Sequence, residues 1–129
     1  TNCKTTCVDM CMEMAELQSD FESDKDFRIV ATSVDPERDS LERLAKHGKN
    51  YDADPEVWYF LRGTKADVRT FAHEGLKIAW HPDDPLIHSN YFVLVDRQGR
   101  IRGYYQQSDH DRMDKIRADI RTLLDEKAP

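Results

Sequence analysis

The stretch SNYFVLVDRQGRIRGYYQ, residues 89–106, contains two β-prone segments separated by a short polar turn. Valine, isoleucine, phenylalanine and tyrosine dominate both segments, and these are residue types that strands favour. The intervening RQG at 97–99 supplies a glycine where a tight reversal of the chain needs one. The pattern therefore predicts a β-hairpin with strands at 89–96 and 100–106.

A helix is predicted directly after the hairpin. Ser108, with Asp111 three residues on, has the spacing of a helix N-cap. The apolar residues that follow are spaced to form one stripe along a helix: Met113, Ile116, Ile120 and Leu123.

Upstream of the hairpin, helices and strands alternate along the chain. Apolar residues spaced on one helical face predict a helix from about Cys7 to Ser23, and they are Met10, Met14, Leu17 and Phe21. The segments FRIVATSVD (27–35) and VWYFL (57–61) are rich in β-branched and aromatic residues and are predicted to be buried strands.

Two further helices are predicted from their capping residues. One begins after Asp39 or Ser40 and ends near Gly48. The other begins at a capping box formed by Thr64 and Asp67 and is closed near Gly75. The segment AWHPDDPLIH (79–88), with its two prolines and two central aspartates, is predicted to be a loop.

The predicted order of elements is α-β-α-β-α-β-β-α, which is typical of an α/β, thioredoxin-like fold with a mixed central sheet flanked by helices. We interpret residues 1–129 as a single domain of this kind. In that fold a strand leads directly into the cysteine motif, whereas here Thr1 and Asn2 alone precede Cys3. We therefore expect that the N-terminal strand lies upstream, in a longer protein, the alternative being an unusually built fold.

Composition narrows the possible functions. Charged residues make up 34% of the 129 residues, and the mean hydropathy is -0.78. No apolar run is long enough to span a bilayer. The net charge of -6, with basic residues scattered along the chain, argues against a nucleic-acid surface.

The chain has three cysteines, all within the first eleven residues, at positions 3, 7 and 11. Cysteines gathered at the start of a helix indicate redox or metal chemistry, because unpaired amide groups and the helix dipole favour the thiolate there. Residues four apart on a helix lie about 5–6 Å apart, wider than the Cβ spacing of a disulfide. A shared metal ion tolerates that spacing more easily, so Cys3 and Cys7 favour a metal without excluding a disulfide.

A metal held by two thiolates needs a third ligand, and His88 is the candidate, with His81 in reserve. Two thiolates and an imidazole suit Cu(I), or Cu(II) with an added weak ligand. The remaining histidines are interpreted as solvated or hydrogen-bonded side chains: His47, His73 and His110.

Four segments in this order carry a resemblance: TNCKTTC, SVDPERDS, WYFLRG and HSNYFVLVDRQGRIRGYY. Together they resemble the Sco/SenC family of thioredoxin-fold proteins, which bind copper and help to assemble the CuA centre of cytochrome c oxidase. The resemblance implies that Cys3, Cys7 and His88 are copper ligands. It also places Asp35, at the carboxyl end of its strand, beside the metal.

The sequence departs from the family pattern at three positions. Val8 stands where proline usually follows the second cysteine, and Ile87 replaces an aspartate common before the histidine. The loss of that carboxylate disfavours Cu(II) more than Cu(I). Cys11 is an addition, interpreted as a small buried side chain, and the alternative is a spare thiol one turn below Cys7.

The leading hypothesis is a metallochaperone that delivers copper to the copper subunit of cytochrome c oxidase or to another acceptor. The alternative is an enzyme, a thiol–disulfide oxidoreductase that needs Cys3 and Cys7 but not His88. From the resemblance we expect an extracytoplasmic protein, in the periplasm or intermembrane space, tethered to the membrane through an upstream segment.

Two expectations about geometry follow. Cys3 and Cys7 are predicted to lie within disulfide or shared-metal distance at the start of a helix beginning near Val8. Cys11 is predicted to be largely buried and bound to neither a metal nor Cys7.

Overall fold

The computed structural model describes residues 6–32, 39–77 and 91–126, with only the backbone of Thr6, Cys7 and Lys65. The chain divides into two compact units, Thr1–Ser89 and Asn90–Pro129. The prediction of one domain over residues 1–129 stays a prediction. The first unit contains α1 (Thr6–Asp20), β1 (Ile29–Thr32), α2 (Leu41–Asn50), β2 (Trp58–Leu61) and α3 (Lys65–Thr70). The second unit contains β3 (Tyr91–Val95), β4 (Ile101–Gln106) and α4 (Arg112–Asp125).

Helix α1 confirms the apolar spacing that predicted it. The residues of its predicted apolar face are buried or half-buried: Met10, Met14, Leu17 and Phe21. The helix ends at Asp20 rather than at Ser23, because the chain turns there and the amide of Asp24 donates to the carbonyl of Phe21 at 3.0 Å. The turn brings the ring of Phe21 onto that of Phe27, with 5.1 Å between ring centroids.

Strands β1 and β2 pair in parallel, joined through α2. Ile29 lies opposite Trp58 with both side chains buried, whereas Val30 lies opposite Tyr59 with both exposed. The alternation shows that the pair turns one face towards the core of the unit. Strand β1 begins at Ile29, later than predicted, and residues 33–35 of the predicted strand lie outside the described residues.

The caps of α2 and α3 are the predicted ones. The hydroxyl of Ser40 accepts a hydrogen bond from the amide of Arg43 at 3.2 Å, which makes Ser40 the N-cap of α2. Thr64 and Asp67 form both hydrogen bonds of a capping box, at 3.0 and 3.2 Å. Helix α3 continues as one turn of π-helix, Phe71–Gly75, and ends at the predicted glycine.

The second unit contains the predicted β-hairpin. Strands β3 and β4 pair antiparallel, with one register irregularity between Leu94 and Val95. Gly99 has φ +78°, a left-handed backbone conformation that glycine adopts without steric cost, so the turn needs it. Residues 89 and 90 of the predicted first strand lie outside the described residues.

The predicted N-cap of the last helix, Ser108, is wrong. Helix α4 begins at Arg112, and Asp111 occupies the N-cap position without a side-chain cap bond. The carboxylate of Asp109 instead accepts from the amide of Asp111 at 3.1 Å and from the Lys115 ammonium at 2.9 Å. A side chain that bonds the backbone two residues on holds the chain in a turn, so the helix begins after it.

The apolar stripe of α4 is confirmed and packs on β4. Ile116 and Ile120 are buried, as is Tyr105 of β4. The hydroxyl of Tyr105 donates to a carboxylate oxygen of Asp119 on α4 at 2.5 Å. Burial and this neighbouring carboxylate raise the pKa of Tyr105 well above its usual range, so the phenol stays protonated.

Asp96, in the hairpin turn, accepts hydrogen bonds from both backbone amides and arginine side chains of the hairpin. Its carboxylate accepts from the backbone amides of Gln98 and Arg100, at 2.9 and 3.0 Å. It also accepts from the guanidinium groups of Arg100 and Arg102, at 2.9 and 3.2 Å. Arg102 in turn forms a two-bond ion pair with Glu126, beside the end of α4. Burial alone would raise the pKa of Asp96, but these hydrogen bonds outweigh it and hold the pKa well below its usual range.

Because the folded-state pKa of Asp96 is depressed, its stabilising contribution is fully present above its ordinary pKa of 3.8. It is lost as the pH falls below that value, towards the folded-state pKa. We expect the urea midpoint of the protein to decrease between pH 6 and pH 3. In Asp96→Asn the midpoint should be lower at pH 6 and should decrease less on acidification. Asp125→Asn, which changes an exposed carboxylate, is the control, and the same drop in both variants would contradict the assignment.

Candidate metal-binding site

Most of the predicted ligand set lies outside the described residues. Cys3, Asp35 and His88 are among them, as is the reserve ligand His81. Cys7 is the second residue of α1, and its backbone is described. The distances between Cys3, Cys7 and His88 therefore stay a prediction, as does the place of Asp35 beside them.

The backbone of Cys7 lies where the sequence predicts, in the first turn of a helix. Helix α1 begins at Thr6, slightly earlier than Val8. The first four amide groups of a helix have no partner within it, and they carry a partial positive charge. A thiol at such a position loses its proton more readily, which suits either a metal ligand or a nucleophile.

The carboxyl ends of β1 and β2 lie at the same edge of their parallel pair. The chain leaves β1 at Thr32, three residues before Asp35, and is described again from Asp39. The Nε of Arg62, the residue after β2, donates to the backbone carbonyl of Asp39 at 2.8 Å. Asp39 itself is only 3% exposed. The hydrogen bond thus holds Asp39 at the carboxyl end of β2.

Arg62 was not predicted to have a role, although two of the quoted motifs contain the partners of this contact. SVDPERDS contains Asp39, and WYFLRG contains Arg62. Nothing in either motif indicates that a side chain of one bonds a backbone carbonyl of the other.

Cys11 is buried, at 7% exposure, as predicted. Its Sγ lies 3.5 Å from Nε2 of His47 on α2, within hydrogen-bond distance for sulfur. That Cys11 is bound to neither Cys7 nor a metal stays a prediction, because the side chain of Cys7 lies outside the described part of the chain. His47 follows the buried Leu44 by three residues and precedes the buried Gly48. That spacing was the available sign that His47 faces inward.

The imidazole of His47 lies among aromatic rings. Tyr51 and Phe60 both meet it edge-on, with centroid distances of 5.2 and 6.0 Å. Burial lowers the pKa of His47, and the charge of Asp39 opposes that effect only in part. The imidazole is therefore neutral at pH 7. It can accept a hydrogen bond from the Cys11 thiol or donate one to the Cys11 sulfur, depending on its tautomer.

The other described histidines, His73 and His110, are exposed. Within the three described stretches of chain, no group of three histidine, cysteine or acidic side chains is arranged to hold a metal ion. No helix in those stretches is both long enough and apolar enough to cross a bilayer.

The SCO1/SenC family model matches residues 1–125 of this chain. The SCO1 protein homolog of Bacillus subtilis (strain 168) is 33% identical over 127 residues. The match covers 95% of this chain and 66% of the relative, so the chain spans just under two thirds of the relative's length.

Solved structures share the fold over nearly the whole chain. One is BsSco, a member of the Sco family of cytochrome c oxidase assembly proteins in which a disulfide switch was identified. It has a TM-score of 0.79 and 33% identity, covering 98% of this chain and 77% of that one. A SCO1/SenC family lipoprotein from Bacillus anthracis (strain Ames) has a TM-score of 0.80 and 28% identity, covering 95% and 75%. Yeast Sco1 with copper bound has a TM-score of 0.67 and covers 94% and 71%, and at 21% identity the likeness concerns the fold alone.

These likenesses confirm the predicted thioredoxin-like α/β fold. They also agree with the order of the four quoted motifs, since the family model extends from the first cysteine motif through the hairpin into α4. The chain belongs to the SCO1/SenC family.

Proposed function

We propose that this chain binds copper through Cys3, Cys7 and His88 and delivers it to a copper acceptor during the assembly of cytochrome c oxidase. The observation that carries the proposal is the position of Cys7 in the first turn of α1, within a chain that the SCO1/SenC model matches almost throughout. The membership of BsSco in a family of oxidase assembly proteins supports the role in assembly. The acceptor that fits best is the copper subunit of the oxidase, which holds the CuA centre.

The chemistry of the proposed ligands favours Cu(I). Thiolates are soft ligands that select Cu(I), and an imidazole completes a three-coordinate site. Cu(II) needs a further ligand, and Ile87 supplies none where many family members have aspartate. A site of low coordination number at a helix start leaves room for the acceptor's thiols, so copper can pass by stepwise exchange of ligands. Asp35 is proposed as a neighbour of this site rather than as a ligand.

A second function, thiol–disulfide exchange, is favoured by the disulfide switch of BsSco. In that reaction the Cys3 and Cys7 thiols would reduce a disulfide of the partner. Two electrons and two protons would pass to the partner, and a Cys3–Cys7 disulfide would form. Exchange requires no imidazole, so His88 separates the two functions.

The lipoprotein from Bacillus anthracis supports an extracytoplasmic, membrane-tethered location. We propose the same location for this protein. A domain on that side of the membrane would meet the copper subunit of the oxidase without crossing the bilayer.

The test is titration with Cu(I) in the presence of a competing chromophoric chelator, on fully reduced and fully oxidised protein. Reduced protein is expected to take up a single equivalent of copper, and protein with a Cys3–Cys7 disulfide none. Because the ligands must be deprotonated, the affinity of the reduced form should decrease from pH 7.5 to pH 5.5. Equal uptake by both forms, or none by the reduced form, would contradict the proposal.

A further inference from the structure

Helix α1 contacts the α2 region through polar groups at two points along its length. Near its start, Sγ of Cys11 lies 3.5 Å from Nε2 of His47. Two turns later, the amide nitrogen of Gln18 donates to the carbonyl of Asp52 at 3.0 Å, and its oxygen accepts from the amide of Asp54 at 2.8 Å. Hydrogen bonds have preferred directions, so these contacts orient the helix more narrowly than apolar packing does.

Both contacts lie on the side of α1 that carries Cys7. Cys7, Cys11 and Gln18 are spaced i, i+4 and i+11, which at 100° per residue places the three positions within about 40° around the helix axis. Rotation of α1 about its axis would move all three together. The contacts of Cys11 and Gln18 therefore limit the direction in which the first turn presents residue 7.

His47 is itself held in place. Its ring meets those of Tyr51 and Phe60 edge-on. Phe60 stacks on Trp58 at 5.2 Å between centroids, and Trp58 is only 2% exposed. The rings of Tyr51 and Trp58 are 6.5 Å apart between centroids. Each ring of the cluster thus contacts two others, and the cluster lies beside Cys11: His47, Tyr51, Trp58 and Phe60. The imidazole consequently offers the Cys11 thiol a fixed partner rather than an adaptable one.

We propose that Cys11 and His47 are a positioning pair that orients the first turn of α1 and so sets the place of the Cys7 ligand. The inference rests on the proposed function, because it gives the pair a role in copper binding. In this arrangement Cys11 does not bind copper itself. It acts through helix α1, in which it lies one turn after Cys7. Loss of either partner lets the first turn adopt more orientations, and copper binding then has to select among them.

The experiment measures Cu(I) affinity in Cys11→Ala, His47→Phe and the double variant by competition with a chelator. Each single variant is expected to lower the affinity about fivefold, the equivalent of one hydrogen bond. The double variant should show a similar loss rather than the product of the two, because both changes remove the same contact. Cys11→Ser, which keeps a hydroxyl able to bond His47, should restore most of the affinity.

Leu17→Val is the matched control, since it removes buried volume from the same helix at a position about 120° from Cys11 around the helix axis. It should lower the urea midpoint while leaving copper affinity unchanged. A loss of copper affinity in Leu17→Val comparable to that in Cys11→Ala would show that general loosening of α1 is responsible, and would overturn the pair.

A readout without copper completes the test. The alkylation rate of Cys7 by iodoacetamide, followed by peptide mass spectrometry in a Cys3→Ala background, should change in His47→Phe and stay constant in Leu17→Val. An unchanged rate, together with unchanged copper affinity, would overturn the inference while leaving the proposed function intact. Copper binding that survives Cys7→Ala would instead overturn the proposed function.

Discussion

Cys3→Ala and Cys7→Ala are expected to abolish copper binding and dithiol oxidation together, whereas His88→Ala is expected to weaken only copper binding. Each cysteine is proposed as both a metal ligand and one half of the redox pair, so its loss removes both activities. The imidazole is proposed as a ligand alone. Changing an outer-shell partner of a metal ligand typically costs about 10–100-fold in affinity, so loss of His88 itself should exceed about 100-fold. Chelator competition measures the first property and thiol counting after mild oxidation the second.

The matched control lies in the predicted loop of residues 79–88, which is outside the described residues. His81→Ala removes a histidine seven residues before His88, and it should leave copper affinity within about twofold of wild type, well inside the factor expected for a lost ligand. A larger loss of copper affinity in His81→Ala than in His88→Ala would identify His81 as the copper ligand. Equal affinity in wild type and His88→Ala would contradict the three-ligand site and favour the oxidoreductase function.

Trp58→Ala is expected to destabilise the first unit more than any other single change in the described core. The indole is 2% exposed, stacks on Phe60 and lies beside Tyr51. Truncation of a buried tryptophan to alanine typically costs about 3–5 kcal/mol, since it removes apolar burial and leaves a cavity. Urea denaturation followed by far-UV circular dichroism should show the loss as a lower midpoint.

Two further variants, each expected to cost less stability than Trp58→Ala, test this assignment. Tyr59→Ala changes the next residue of β2, which is 39% exposed, and should cost about 1 kcal/mol or less. The Nε1 of Trp58 is buried without a hydrogen-bond partner in the part of the chain that is described. Trp58→Phe removes that nitrogen and keeps a ring, so its cost should lie well below that of Trp58→Ala. A larger loss in Tyr59→Ala than in Trp58→Ala would contradict the assignment of the buried face.

The features that could be predicted from the sequence are those that neighbouring residues decide. The capping box needs only Thr64 and Asp67, three residues apart, and both of its hydrogen bonds form. The hairpin and the apolar faces of α1 and α4 follow from local periodicity in the same way. The predicted N-cap of α4 was wrong for an equally local reason. The prediction from Ser108 did not take into account the competing carboxylate of Asp109, which bonds the amide of Asp111.

The contacts that could not be predicted join residues far apart in the chain. Cys11 and His47 are separated by 36 residues, and nothing near either residue specifies the other. Arg62 and Asp39 are 23 residues apart and meet only because β1 and β2 pair in parallel. Cys3, Cys7 and His88 were predicted as ligands from the cysteine spacing and the need for a third donor, and the resemblance implied the same set. The contacts around Cys3 and His88 stay predictions.

The burial of Cys11 also affects the fidelity of disulfide formation. A chain with three thiols has three ways to form one internal disulfide, and two of them use Cys11. Exchange requires a thiolate to approach a disulfide sulfur directly, and a side chain that is 7% exposed gives little room for that approach. In an oxidising compartment, burial therefore kinetically favours the Cys3–Cys7 pairing. The third thiol can persist there without scrambling the pair on which the proposed function depends.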